Sequence, residues 1–215
     1  MNRRSDLLDH FRTYATIYVF MIILFLTGII FGAIIVNSMH FVQKQDLFFY
    51  LEQFFGTLSA ENPIASSEIL KDSIFYHIRY LLLLFVLGLS VIGLPIVWIL
   101  IFLKGLVVGF SVGFIVNQLG MNGFLLATLS IAPQNIIVIP IYIIAGSLSM
   151  IFSISLLNKL FTRKVSLSRP VLAPFVRYIT AFAVLVVISF IPAIIEAYIS
   201  NEAMVSYIKS LYPKN

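Results

Sequence analysis

From Ile74 to Gln118 the chain is almost unbroken apolar sequence, and three further apolar runs accompany it, from Tyr14 to Val36, from Phe124 to Leu157 and from Arg177 to Ser200. A bilayer core about 30 Å thick takes roughly 20 apolar residues in an α-helix, so every run is long enough to cross it at least once. Composition closes off a water-soluble alternative. Only 11% of the 215 residues are charged and 60% are hydrophobic, whereas a soluble domain of this length needs roughly twice that charge to coat its surface. Side chains in such excess face lipid. The expected fold is therefore all-α, a polytopic helix bundle forming one membrane domain over residues 1–215.

Helix breakers divide the runs. Gly93, Leu94 and Pro95 predict a tight hairpin between a second span over Ile74–Ile92 and a third over Ile96–Asn117, because proline removes a donor and pushes its predecessor out of the helix. The region from Phe124 to Leu157 would extend about 50 Å as one helix. It contains Pro133, Gln134, Asn135 and Pro140, which predict a half-helix over Phe124–Ala132, re-entrant or part of a kinked span, then a break, then a full span over Ile136–Leu157. The last run bends at Pro192 and ends in a short polar tail. About five transmembrane helices result.

Loop charges orient them. Residues 37–73 are net acidic, with Asp46, Glu52, Glu61, Glu68 and Asp72 against Lys44 and Lys71, whereas residues 158–176 carry Lys159, Arg163, Lys164 and Arg169. The N-terminal segment holds Arg3, Arg4 and Arg12 and leads into a retained span, with no small-residue cleavage site of the usual form. Basic loops stay in the cytoplasm. The N-terminus is then cytoplasmic, residues 37–73 lie outside, and five crossings leave the C-terminus extracytoplasmic, mildly opposed by Lys209 and Lys214. The net charge of +5 is thus a topology signal; it forms no aromatic-interleaved patch for nucleic acid.

Within the outer loop, Leu47, Phe48, Leu51, Phe54 and Phe55 share one helical face, predicting a short amphipathic helix resting on the membrane surface or on neighbouring spans. Phe48, Leu51 and Phe55 either anchor a partner or hold the loop down. Ser66 or Ser67 is placed to cap the next helix.

Gly105, Gly109 and Gly113 recur every fourth residue along the third span, and Gly28 and Gly32 repeat the spacing in the first. Such a strip lets another backbone approach, within one chain or in a homo-oligomer, or it lines a groove. Lys104 beside it is expected to snorkel to the cytoplasmic interface, with contact to a substrate or lipid headgroup as the alternative. The amide-rich Pro133, Gln134, Asn135 stretch is either a structural joint or, with Lys104 or Glu196, a transport site. Glu196 is the one acidic residue inside a span. His10, His40 and His77 are scattered at no metal-binding spacing, with Arg79 near His77 at the span's outer mouth. The chain has no cysteine and no nucleophile, phosphate-loop or zinc-protease motif, so neither catalytic residue nor metal nor cofactor is expected.

Three segments carry a resemblance: TGIIFGAIIVNSMHFVQKQDLFFYLEQFF from Thr27 to Phe55, SVIGLPIVWILIFLKGLVVGFSVGFIVNQLG from Ser90 to Gly120, and LSIAPQNIIVIP from Leu129 to Pro140. They resemble the stage II sporulation protein M family of endospore-forming bacteria, over nearly the whole chain. The resemblance implies a non-enzymatic cell-membrane protein of the mother cell at the sporulation septum. It would recruit and organise the peptidoglycan-degrading sporulation proteins D and P of the same stage during forespore engulfment. A small-solute or lipid transporter is the alternative. Wider relatives tend to place a histidine after the first proline and a glutamate before the second; here Gln134 and Val138 stand there, so proton or metal chemistry does not carry over.

Overall fold

The computed structural model describes residues 12–58, 65–161 and 172–211. The helices are α1 (Ala15–Ser38), α2 (Phe41–Leu58), α3 (Ser66–Gly88), α4 (Gly93–Ser130) and α5 (Ala132–Phe161). A bent terminal helix follows, made of α6 (Leu172–Ile188), α7 (Phe190–Ile194), a π-helical turn (Ile195–Ser200) and α8 (Asn201–Leu211). Among the described residues, four segments are long and apolar enough to cross a membrane, Ala15–Ser38, Gly93–Ser130, Ala132–Asn158 and Ala173–Ser210. The chain is a multi-pass, all-α membrane protein. α3 has the length, at 23 residues, but carries Glu68, Lys71, Asp72 and Arg79.

Contacts give each helix its direction. Gly105, Gly109 and Gly113 face Phe25, Ile29 and Ala33 in the same order, so α1 and α4 run parallel. Tyr76 meets Lys104 and Tyr80 meets Leu100, so α3 runs against α4. His77 pairs with Tyr142 and Leu84 with Ser149, which makes α5 parallel to α3. Phe85 pairs with Tyr178 and Ser73 with Glu196, which sets the terminal helix against α3. The core lies where these helices meet, around Met21, Leu81, Val97, Ile101, Tyr142 and Phe182. Outward faces stay apolar: Ile23, Ile30, Leu82, Ile99 and Val187 are each more than half exposed. That inversion suits a hydrocarbon solvent, which leaves backbone polar groups to be satisfied within the helices.

Several boundaries differ from expectation, and proline accounts for most. α3 ends at Gly88 and the turn occupies Leu89–Ile92, ahead of Pro95, which falls in the first turn of α4. There a missing N–H costs nothing, because first-turn amides have no intrahelical acceptor. The same reason corrects the predicted break near Pro133. α5 starts at Ala132, so Pro133, Gln134 and Asn135 form its first turn, and the joint falls at Ile131. Asn135 Nδ2 donates to the Ile131 carbonyl at 2.7 Å and ties that joint.

The sharper reversal is at Gly120, whose φ of 59° and ψ of −130° suit glycine alone. Beyond it the half-helix doubles back, with Gly123 against the Ile115 backbone and Leu126 beside Ile115 and Leu119. In the terminal helix the interruption comes at Ser189, upstream of Pro192, whose ring displaces the carbonyl four residues before it. The expected polar tail is instead α8, with Ile208 buried. Ala65, with no side-chain cap bond, occupies the N-cap of α3, because Ser66 and Ser67 already lie inside the helix. The basic residues Arg3, Arg4, Arg163, Lys164 and Arg169 lie outside the described residues.

Candidate functional site

α3 presents Ser73, Tyr76, His77 and Tyr80 at offsets of three, four and seven, which is one helical face. That face meets α4, α5 and the π-helical turn, and polar side chains gather there inside an apolar bundle. Ser73 Oγ donates to Glu196 Oε2 at 2.5 Å. His77 Nδ1 lies 2.6 Å from the Tyr142 hydroxyl, and Tyr80 donates to the Leu100 carbonyl at 2.8 Å. Lys104 Nζ donates to the Tyr76 hydroxyl at 3.3 Å and stands 4.8 Å and 5.2 Å from the centroids of the Tyr76 and Tyr142 rings. The Tyr80 and Tyr142 rings approach to 4.3 Å between centroids.

The cluster thus holds an acid, an imidazole, an ammonium and three phenols. Glu196 reaches it from a π-helical turn, a widened geometry that recurs where a side chain must be re-aimed. Leu81, Leu84, Val97, Ile101 and Ala145, all fully buried, lie between it and the Gly88–Gly93 end of the bundle. On that far side the polar groups serve as clips between helices. Ser149 donates to the Leu84 carbonyl at 2.9 Å, Ser153 to the Ser90 carbonyl at 3.0 Å and Tyr178 to the Phe85 carbonyl at 2.9 Å. No group of three metal-ligating side chains occurs among the described residues.

The residues singled out by sequence fall in four places. Glu196 and Lys104 join the cluster without pairing, and the Lys104 amine lies against Tyr76 and Tyr142. Gln134 is half-buried, and its Oε1 has no hydrogen-bond partner among the described residues; Asn135 is spent on the Ile131 joint. Gly105 and Gly109 admit the α1 backbone so closely that a Cβ would strike Phe25 and Ile29, while Gly113 lies beside Ala33. From the other side, Gly28 and Gly32 receive the backbone at Phe102 and Leu106.

Leu51 and Phe55 turn inward, and Phe48 is half-buried. Phe55 is 6% exposed and packs with Leu126 and Ile208, with Leu51 beside them, so α2, the half-helix and α8 share a small second core. Tyr207 adds a hydroxyl contact to Asn122 at 3.3 Å. Phe49, Tyr50 and Phe54 face outward instead. Sequence reasoning missed Ser73, Tyr76, Tyr80 and Tyr142 as site residues. The signal was present in α3, where polar and aromatic residues recur on one face of an otherwise apolar helix; Tyr142 had none.

The model of the family described as stage II sporulation protein M matches residues 21–201. No curated protein and no solved structure matches the chain.

Proposed function

The chain belongs to the stage II sporulation protein M family, and from that premise we propose that it is a non-enzymatic platform in the mother-cell membrane at the sporulation septum, organising proteins D and P of the same stage during engulfment. The observation carrying this reading is the small second core that joins α2, the half-helix and α8, closed on Phe55, Leu126 and Ile208. An independent second core keeps α2 in a fixed pose, and a fixed pose turns the exposed rings of Phe49, Tyr50 and Phe54 into one surface. Aromatic side chains give large contact area at low rotamer cost, which suits docking.

The reading includes five crossings. Because α1 and α4 run parallel, the chain between them has to return through the thickness they span, and α3 is the helix that runs back. The assembly built on α2 then lies on the cell-wall side, where peptidoglycan-degrading partners work. A second reading, a small-solute or lipid transporter, draws on the partly buried cluster around Lys104 and Glu196.

The test is direct binding of the protein P ectodomain to the full chain in lipid nanodiscs, repeated with protein D. Binding that falls at least tenfold when Phe49, Tyr50 and Phe54 are changed together to serine, with unchanged thermal stability, supports the docking face. Unchanged binding removes that face. An intact chain that binds neither protein, singly or together, yet moves solute into sealed vesicles in a Lys104-dependent manner overturns the platform.

A further inference from the structure

α2 has two working faces. Leu51 and Phe55 hold it to the second core, while Gln43, Asp46, Leu47 and Tyr50, at offsets of three, four and seven, arch over the end of α1. Beneath this second face lies an open cleft of about 690 Å³, floored by Ile34, Ile35 and Phe110 and rimmed by Ser38, Asp46 and Tyr50. The floor is continuous with the lipid-facing side of α1, where Ile30 and Phe31 are 59% and 51% exposed. A cleft that opens onto the hydrocarbon-facing surface admits a lipid chain, and its polar rim stands where that lipid's headgroup would be.

The rim also has a sign. Asp46 is the charged residue among the described side chains lining the cleft, and it is exposed toward it. The Gln43 amide oxygen accepts from the His40 backbone N–H at 3.1 Å, so Gln43 is partly committed to fixing the start of α2. Ser38 and Tyr50 supply neutral hydroxyls. A carboxylate flanked by hydroxyls attracts an ammonium group and repels a headgroup of net negative charge.

We propose that this cleft is a binding site for an amine-bearing phospholipid of the phosphatidylethanolamine class. The acyl chain lies along Ile34, Ile35 and Phe110, and the headgroup ammonium is held by Asp46. The site adjoins the docking face and shares Tyr50 with it, while Phe49 and Phe54 are not part of its lining. It bears instead on how α2 sits at the interface, which makes the position of the helix depend on the lipid around it.

Native mass spectrometry of the full chain, released from detergent containing equal amounts of phosphatidylethanolamine and phosphatidylglycerol, reads the preference. The expected result is an excess of phosphatidylethanolamine adducts on the order of threefold, the ratio a partly exposed ion pair supports. Asp46→Asn brings it to near parity, and Ile35→Trp, which fills the floor, reduces adducts of both lipids. Equal or greater binding of phosphatidylglycerol by the unaltered chain overturns the proposal. A preference that survives Asp46→Asn overturns it as well, since the headgroup is then read elsewhere.

Discussion

Lys104 stands about three turns into α4, far from either end, and its surroundings decide what an ammonium costs there. A lysine at the centre of a spanning helix costs roughly 2.5–3.5 kcal/mol on insertion scales. Against that, each ring face returns about 0.5–2 kcal/mol, and the bond to Tyr76 adds about 1 kcal/mol. The two sides nearly cancel. Among the described residues no carboxylate pairs with Lys104, so removing it strands no buried opposite charge of the kind that makes broken ion pairs cost about 3–5 kcal/mol. Lys104→Met keeps the apolar stem and discards the charge. The expected outcome is thermal stability within about 1 kcal/mol of the unaltered chain, and on the higher side, read from unfolding in detergent. A loss above about 2 kcal/mol would mean that Lys104 is held by a partner of opposite charge.

The helix pair α1 and α4 owes its closeness to glycine on both members. A Cβ at Gly109 would fall on the Ile29 backbone, and backbone cannot rotate away as a side-chain tip can. Gly113 is different, since a Cβ there would meet the Ala33 Cα at 3.4 Å, an ordinary contact. Gly109→Leu therefore separates the helices and costs about 1–3 kcal/mol or more, while Gly113→Ala stays within about 0.5 kcal/mol. Protease resistance and thermal unfolding of the two variants side by side check this; equal behaviour would sink it.

That strip was legible because four-residue spacing is a helical fact, and helix existence was legible throughout because apolar length is. The joints were harder to read. Pro95 and Pro133 each announce a helix boundary, yet proline suits a first turn as well as a break, so each marks a start that sequence reads as a stop. The reversal at Gly120 carried no such mark, because one glycine among several in α4 does not reveal its φ. Of the site, Lys104 and Glu196 stood out as charges in apolar sequence. Their meeting around Tyr142 did not, since it depends on the registers of α3, α4, α5 and the bent helix together. Phe55 shows the opposite case: an apolar face predicts burial without saying against what, and here it is the chain's own Leu126 and Ile208.

For the molecule as a whole, relative helix directions and loop charges reach the same arrangement by independent routes. Packing makes α1 parallel to α4 and α3 parallel to α5, with the terminal helix opposed to α3, so successive long helices alternate. Charge places Arg3 to Arg12 and Lys159 to Arg169 on one side and the acidic residues 37–73 on the other. An alternating bundle leaves one binary choice, which face is cytoplasmic, and in the proposed topology it is the face of the basic segments. α3 is the exposed step in this chain of argument, because its polar start keeps it out of the set of helices apolar enough to span by composition. Ser73 and His77 face inward, both buried, with Ser73 bonded to Glu196 and His77 beside Tyr142, whereas Glu68, Lys71, Asp72 and Arg79 are exposed. All of those charges but Arg79 fall in the first two turns of α3, where a charged side chain near a helix end reaches headgroup water. The chain has no cysteine, so single cysteines at Ser66, Ser166 and Ser206 report without background. Five crossings with a cytoplasmic N-terminus predict labelling by a membrane-impermeant thiol reagent from outside at 66 and 206, and at 166 only after the membrane is opened. If α3 lay on the surface instead, α4 would start on the outer side and run against α1, in conflict with the glycine contacts that make the two parallel, and both 166 and 206 would exchange sides, so labelling of intact cells at 166 would remove α3 from the crossings.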